Sequence, residues 1–123
     1  MVLSALEQLA KKRMEELFSE NTFSKEVGRM IGKTLLAGKE INLDIISKEF
    51  AMSPRNLQLK LKGEGISYQE ILDDFRKTIA LDYLKEPDAS FSDLAFLLGY
   101  SDQSAFNHAF KRWTGKTPKQ IRS

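Results

Sequence analysis

The sequence predicts an all-α fold: two helix-turn-helix subdomains joined by a long linker helix, with an N-terminal amphipathic helix in front. Three observations predict it. Apolar residues recur at helical spacing along most of the chain, while two-residue alternation is weak throughout. Start and stop signals (Ser-Pro, Ser-x-x-Glu, Thr-Pro, single glycines) fall at helix-sized intervals. One pattern occurs twice, at 43–61 (LDIISKEFAMSPRNLQLKL) and at 91–110 (FSDLAFLLGYSDQSAFNHAF).

In chain order, 2–18 carries Leu3, Leu6, Leu9/Ala10, Met14 and Leu17 as an apolar stripe. Residues 1–20 are therefore expected to form a helix leading out of another domain, with its stripe either a dimer contact or packed on its own domain. Residues 21–65 are expected to form the first subdomain. Phe23, Val27, Met30/Ile31 and Leu35 mark a helix ending near Gly38, and Asn42 caps a short helix over 43–50. Ser53-Pro54 opens the next: serine caps, and proline takes the first helical position, where no N–H is needed. That helix is predicted to stop at the Gly63–Gly65 break.

The linker occupies 66–86. Ser67-Tyr-Gln-Glu70 reads as a capping box opening a helix with Tyr68, Ile71/Leu72, Phe75, Ile79 and Tyr83 on one face, stopped before Pro87. A helix over 67–86 is about 30 Å long at ~1.5 Å per residue, close to the ~34 Å of one B-DNA turn. The second subdomain fills 87–123. Ser90 caps its first helix, Gly99 supplies a left-handed turn position, Ser101 caps a helix running to about Thr114, and Thr117-Pro118 starts a last short one.

The two copies align Ile46 with Leu94, Ser47 with Ala95, Phe50 with Leu98, Ala51 with Gly99, Met52 with Tyr100 and Ser53 with Ser101. After a one-residue insertion, Leu57 aligns with Phe106 and Leu61 with Phe110. Duplex DNA readers use such a unit to lay its second helix in a major groove. The charge distribution agrees. The net charge is only +2. Yet 51–62 holds Arg55, Lys60 and Lys62 with no acid, and 103–123 holds Lys111, Arg112, Lys116, Lys119 and Arg122 with no acid. Cations segregated onto both expected reading helices are the footprint of a phosphate-binding face.

Other classes are poorly served. No apolar run approaches the ~20 residues of a membrane span. The chain has no cysteine and a single histidine, which excludes thiolate and clustered-histidine metal sites. With no Gly-rich phosphate loop and no nucleophile elbow, an enzyme and a cofactor are not expected. The rival is a helical protein-interaction module without specific DNA binding.

Residues early in a recognition helix reach base edges, and the later apolar ones face inward. The expected base contacts are Arg55, Asn56, Gln58 and Leu59 in the first reader and Gln103, Ser104, Asn107 and His108 in the second. Arg matches guanine O6/N7 and Gln or Asn matches adenine N6/N7, so Arg55 and Gln58 lead. The repeat pairs Arg55 with Gln103, Asn56 with Ser104, Gln58 with Asn107 and Leu59 with His108. His108 is a neutral reader, a weak phosphate contact or merely solvated. Leu57 and Leu61, and Phe106, Phe110 and Trp113, are expected inside. Lys60, Lys62, Lys111, Arg112, Lys116, Thr117 and Lys119 are the expected phosphate contacts, Thr117 through free N–H groups at its helix start. Arg76 is expected in an ion pair between subdomains, and Asp102 to be a helix-start acid first and a cytosine contact second.

From 42 to 122 the chain resembles the AraC/XylS family of bacterial transcription regulators. The resemblance rests on MSPRNLQ at 52–58, Arg76 and Ala80, and LLGYSDQSAFNHAFKRWTGKTPKQIR at 97–122. It implies two helix-turn-helix subdomains binding adjacent major grooves of double-stranded DNA, commonly activating transcription by contacting RNA polymerase in the cytoplasm, on the nucleoid. The family often has arginine where Leu59 and His108 stand, so the target site does not carry over. Most members also carry a sensor or dimerisation domain. The chain is thus expected to be a fragment of a longer regulator, homodimeric through its N-terminal helix or the missing domain.

Overall fold

The computed structural model describes the backbone of residues 2–122 and the side chains of residues 5–122, so Leu3 of the predicted stripe lies outside the described side chains. Its elements are α1 (Val2–Leu17), α2 (Phe23–Leu36), α3 (Leu43–Glu49), α4 (Pro54–Lys62), α5 (Tyr68–Tyr83), α6 (Phe91–Leu97), α7 (Gln103–Thr114) and α8 (Pro118–Arg122). The all-α expectation holds, and no strand occurs among the described residues.

Helix starts follow the capping logic. The side chains of Thr22, Asn42, Ser53, Ser67 and Ser90 each accept from the N–H three residues on. One expected cap is wrong: α7 is capped by Asp102, whose Oδ1 accepts from the Ala105 N–H at 2.8 Å, so Ser101 stands one residue outside. A carboxylate holds the helix-start N–H more strongly than a hydroxyl, because its charge also meets the positive helix end.

A single apolar core runs through both subdomains. Leu57 and Leu61 of α4, Phe106 and Phe110 of α7, and Phe75 and Ile79 of α5 belong to it, all 0% exposed. The linker is thus a packed central helix, in contact with α1, α2 and α7. It is also shorter than expected: sixteen residues ending at Tyr83, or about 24 Å at ~1.5 Å per residue. The chain from Leu84 to Glu86 turns before Pro87, with the Glu86 N–H donating to Tyr83 O at 2.9 Å.

The first helix belongs to this core as well. Leu6, Ala10, Met14 and Phe18 are buried at four-residue spacing, while Leu9 remains 43% exposed. The apolar side of α1 therefore faces α2 and α5 and is not free to pair with a second copy. Arg13 reinforces the seating, with its Nε 2.9 Å from Asp82 Oδ2 on α5. Gly28 and Gly32 permit the close approach. A Cβ at Gly28 would meet the Phe18 ring at 2.3 Å, and one at Gly32 would meet Met14 Sδ at 2.3 Å.

Candidate nucleic-acid interface

Each reading helix is aimed by the turn before it, and the two turns share one hydrogen-bond scheme. In the first, Met52 N–H donates to Ser47 O and Ala51 N–H to Lys48 O, both at 3.0 Å. In the second, Tyr100 N–H donates to Ala95 O and Gly99 N–H to Phe96 O, again at 3.0 Å. These paired bonds close the preceding helix around a left-handed residue, which is Ala51 (φ 53°) in one copy and Gly99 (φ 86°) in the other. The alignment of the repeat is thereby realised in both of these closing bonds, up to Met52 and Tyr100.

Beyond the turn the alignment shifts. Ser53 caps α4 and Asp102 caps α7, so the extra residue of the second copy sits before the cap and not inside the helix. Counting from the caps, Arg55 corresponds to Ser104 and Pro54 to Gln103, which corrects the expected pairing of Arg55 with Gln103 and Asn56 with Ser104. The pairs Gln58 with Asn107 and Leu59 with His108 stand.

The predicted readers divide by exposure. Arg55, Asn56, Gln58 and Leu59 are exposed on α4, as are Gln103, Ser104 and His108 on α7. Leu59 is 54% exposed, unusual for a leucine beside two fully buried ones. Asn107 is only half-buried, and its Oδ1 is enclosed without a hydrogen-bond partner. Its inward neighbours form an aromatic stack: Tyr100–Phe106 at 5.9 Å, Phe106–Phe110 at 5.8 Å and Phe110–Trp113 at 6.4 Å between centroids. The stack is core, as expected, with Trp113 half-buried.

Of the expected phosphate contacts, Lys62, Lys111, Arg112, Lys116 and Lys119 are exposed. Two others are engaged within the protein. Lys60 Nζ lies 4.3 Å from the Phe23 ring centroid, turned back toward α2. Thr117 closes a reciprocal capping box, its N–H donating to Gln120 Oε1 at 2.8 Å and its Oγ1 accepting from the Gln120 N–H at 3.2 Å. The free N–H expected there is therefore not free.

Arg76 joins the subdomains, but not through an ion pair. Its Nε donates to Leu98 O at 3.0 Å, and its guanidinium lies 4.5 Å from the Tyr100 ring centroid. It thus ties α5 to the turn that aims α7. The first reader is braced differently: Glu64, just past α4, accepts from Ser24 Oγ at 2.8 Å and Ser24 N–H at 3.0 Å at the start of α2. Sequence reasoning missed this brace, because Ser24 and Glu64 are far apart in the chain and no local pattern joins them. Arg76 carried a signal, a cation on a helix whose neighbours were acids, and the wrong partner was drawn from it.

Comparison with known proteins agrees with this geometry. Residues 46–123 match the family model described as a helix-turn-helix domain. The chain is 35% identical over 118 residues to the HTH-type transcriptional regulator VirS of Mycobacterium tuberculosis, covering 94% of this chain and 34% of that protein. It is 33% identical over 84 residues to the HTH-type transcriptional activator RhaS of Escherichia coli, covering 68% of this chain and 30% of that protein. The chain thus spans about a third of the length of these curated relatives. Among solved structures, a DNA-binding transcriptional dual regulator from Escherichia coli K-12 superposes with a TM-score of 0.74 at 28% identity, over 84% of this chain and 91% of that one.

Proposed function

The chain belongs to the AraC family of helix-turn-helix transcriptional regulators, and from that premise we propose that it binds a specific site on double-stranded DNA by laying α4 and α7 in successive major grooves. It is a regulator's DNA-binding unit and not an enzyme. The observation that carries the proposal is the repeated turn. Two helices are launched by the same bond scheme from one continuous core, and each leaves a polar face with nearby cations and no acid of its own.

Arg55, Asn56, Gln58 and Leu59 on α4, with Gln103, Ser104 and His108 on α7, are the proposed base contacts. Asn107 joins them through its amide NH2, since its Oδ1 is enclosed. Lys62, Lys111, Arg112, Lys116 and Lys119 are the proposed phosphate contacts, which position without specifying. Activation by contact with RNA polymerase is proposed on the likeness to RhaS, named an activator. Homodimerisation, if it accompanies DNA binding, is assigned to surfaces other than the buried side of α1. A place on the nucleoid follows from the DNA.

A duplex of about two turns, selected from a random pool, should bind ~10³-fold more tightly than scrambled duplex in a competition titration. Equal affinity rejects the proposal in favour of a protein-interaction module. Arg55→Ala should relax base preference in one half of the selected site. Lys111→Ala should weaken all sequences alike and flatten the salt slope by ~0.9.

A further inference from the structure

Beside the first reader the surface opens into a groove of about 890 Å³, within the range of about 300–1,000 Å³ typical of small-molecule sites. Its floor is one face of α5, where Tyr68, Leu72 and Arg76 follow at four-residue spacing. The end of α4 forms one wall, with Gln58 and Lys62, and Ile66 adds apolar surface. Two cations, Lys62 and Arg76, stand against one acid, Glu70, among the lining residues.

One group in the groove lacks what its chemistry asks for. The Tyr68 side chain is 8% exposed, and its hydroxyl is enclosed without a hydrogen-bond partner. Burial pushes its phenol up, and the Arg76 guanidinium pulls it only partly back, so the hydroxyl keeps its proton and can donate. Arg76 has its Nε committed to Leu98 O and a side-chain hydrogen bond to Tyr100, and its guanidinium, a donor throughout, lines the groove beside Tyr68. Donors grouped on an apolar floor are satisfied together only by an acceptor, and a negative one serves best.

We propose that this groove binds a small organic carboxylate with a flat apolar body laid along Leu72 and Ile66, its oxygens taken by Arg76 and Lys62 and by Tyr68 Oη, which is enclosed in the free chain and reaches them by a shift of the Tyr68 ring on binding. Because Gln58 and Lys62 are also proposed DNA contacts, the bound carboxylate competes with DNA. That coupling rests on the DNA-binding proposal, whereas binding to the groove does not. By linkage, DNA weakens the carboxylate by the same factor.

The test uses the full chain, 2-naphthoate as probe and neutral 2-naphthamide as control, followed by amide-resolved NMR. Naphthoate should give saturable shifts centred on Lys62, Tyr68, Leu72 and Arg76, with naphthamide and inorganic phosphate each at least about tenfold weaker. Tyr68→Phe should weaken naphthoate about tenfold. Lys62→Gln, at an exposed position where folding is not at stake, should weaken it about threefold. No saturable shift at about 10 mM, equal binding of naphthamide, or indifference to both variants overturns the proposal. Phosphate binding as tightly as naphthoate overturns it too, since the groove would then be a seat for any anion, a DNA phosphate included. In a duplex titration, saturating naphthoate should raise the Kd of the unmodified chain and leave that of Tyr68→Phe nearly unchanged. If naphthoate binds and no duplex does, the DNA proposal fails and the site stands. If duplex affinity ignores saturating naphthoate, the coupling fails.

Discussion

At the turn between α3 and α4 the left-handed residue is Ala51, while at the matching turn between α6 and α7 it is Gly99. The two hydrogen bonds that close each turn are the same, so the turn alone does not require glycine. What differs is the surroundings. Ala51 is exposed. A Cβ on Gly99 would lie 2.8 Å from Leu35 Cδ2 at the end of α2 and 3.5 Å from Arg76 Nη2. Gly99 is docked against the first subdomain, whereas Ala51 faces solvent. Glycine at 99 thus meets two demands, left-handed backbone and close approach, where position 51 faces only the first. The readers differ in parallel: α4 is anchored by Leu57 and Leu61, α7 by Phe106 and Phe110 within an aromatic stack.

The largest expected effect compares those anchors. Phe106→Ala should cost about 3–5 kcal/mol and Leu57→Ala about 2–5 kcal/mol, read by urea denaturation. Because both side chains belong to one core, each variant should shift a single transition followed by the Trp113 fluorescence and by helical circular dichroism. Fluorescence and dichroism curves that separate in Phe106→Ala would show two independently melting units and break the comparison at its base.

Gly99→Ala comes next. The left-handed penalty and the displacement of a buried leucine methyl together should cost about 2 kcal/mol, seen as a fall in melting temperature. Arg76→Gln should cost about 1.5 kcal/mol, as both the bond to Leu98 O and the stack on Tyr100 are lost. Amide exchange should then rise around 98–100 and remain unchanged around 50–52. Equal protection loss at both turns would show that Arg76 supports the fold generally and does not hold the second turn in particular.

Local chemistry was legible in the sequence. Asn42, Ser53, Ser67 and Ser90 cap where their types and spacing placed them, and the buried rows of α4 and α7 follow the 3.6-residue period. The repeat matches Ala51 to Gly99, but the left-handed backbone that the two share was expected only at the glycine. What escaped was set by competition or by distance. Asp102 outcompetes the adjacent Ser101 as a cap, which moves the α7 register by one. The stripe of α1 could not reveal its partner, because a helix seated on its own domain and one seated on a second copy carry the same pattern. The charge of Lys60 is visible in a sequence, whereas the Phe23 ring it lies over, on another helix, is not. The exposed readers were legible as a set, yet which of them touches a base is decided by DNA.

The smallest effect has the opposite sign. Ala51 is the one non-glycine residue with positive φ among those described, and a left-handed alanine carries a penalty of roughly 1–2 kcal/mol. Ala51→Gly removes that strain but gives the unfolded chain more freedom, at a cost of about 0.4–1 kcal/mol. The exposed methyl contributes little packing, so the net should be a gain of about 0.5 kcal/mol. A rise in melting temperature with unchanged duplex affinity would mean that the strain at 51 is incidental to DNA reading. A rise accompanied by weaker binding would show that the alanine stiffens the turn aiming α4, giving the first reader through its own backbone the support that the second draws from Leu35 and Arg76.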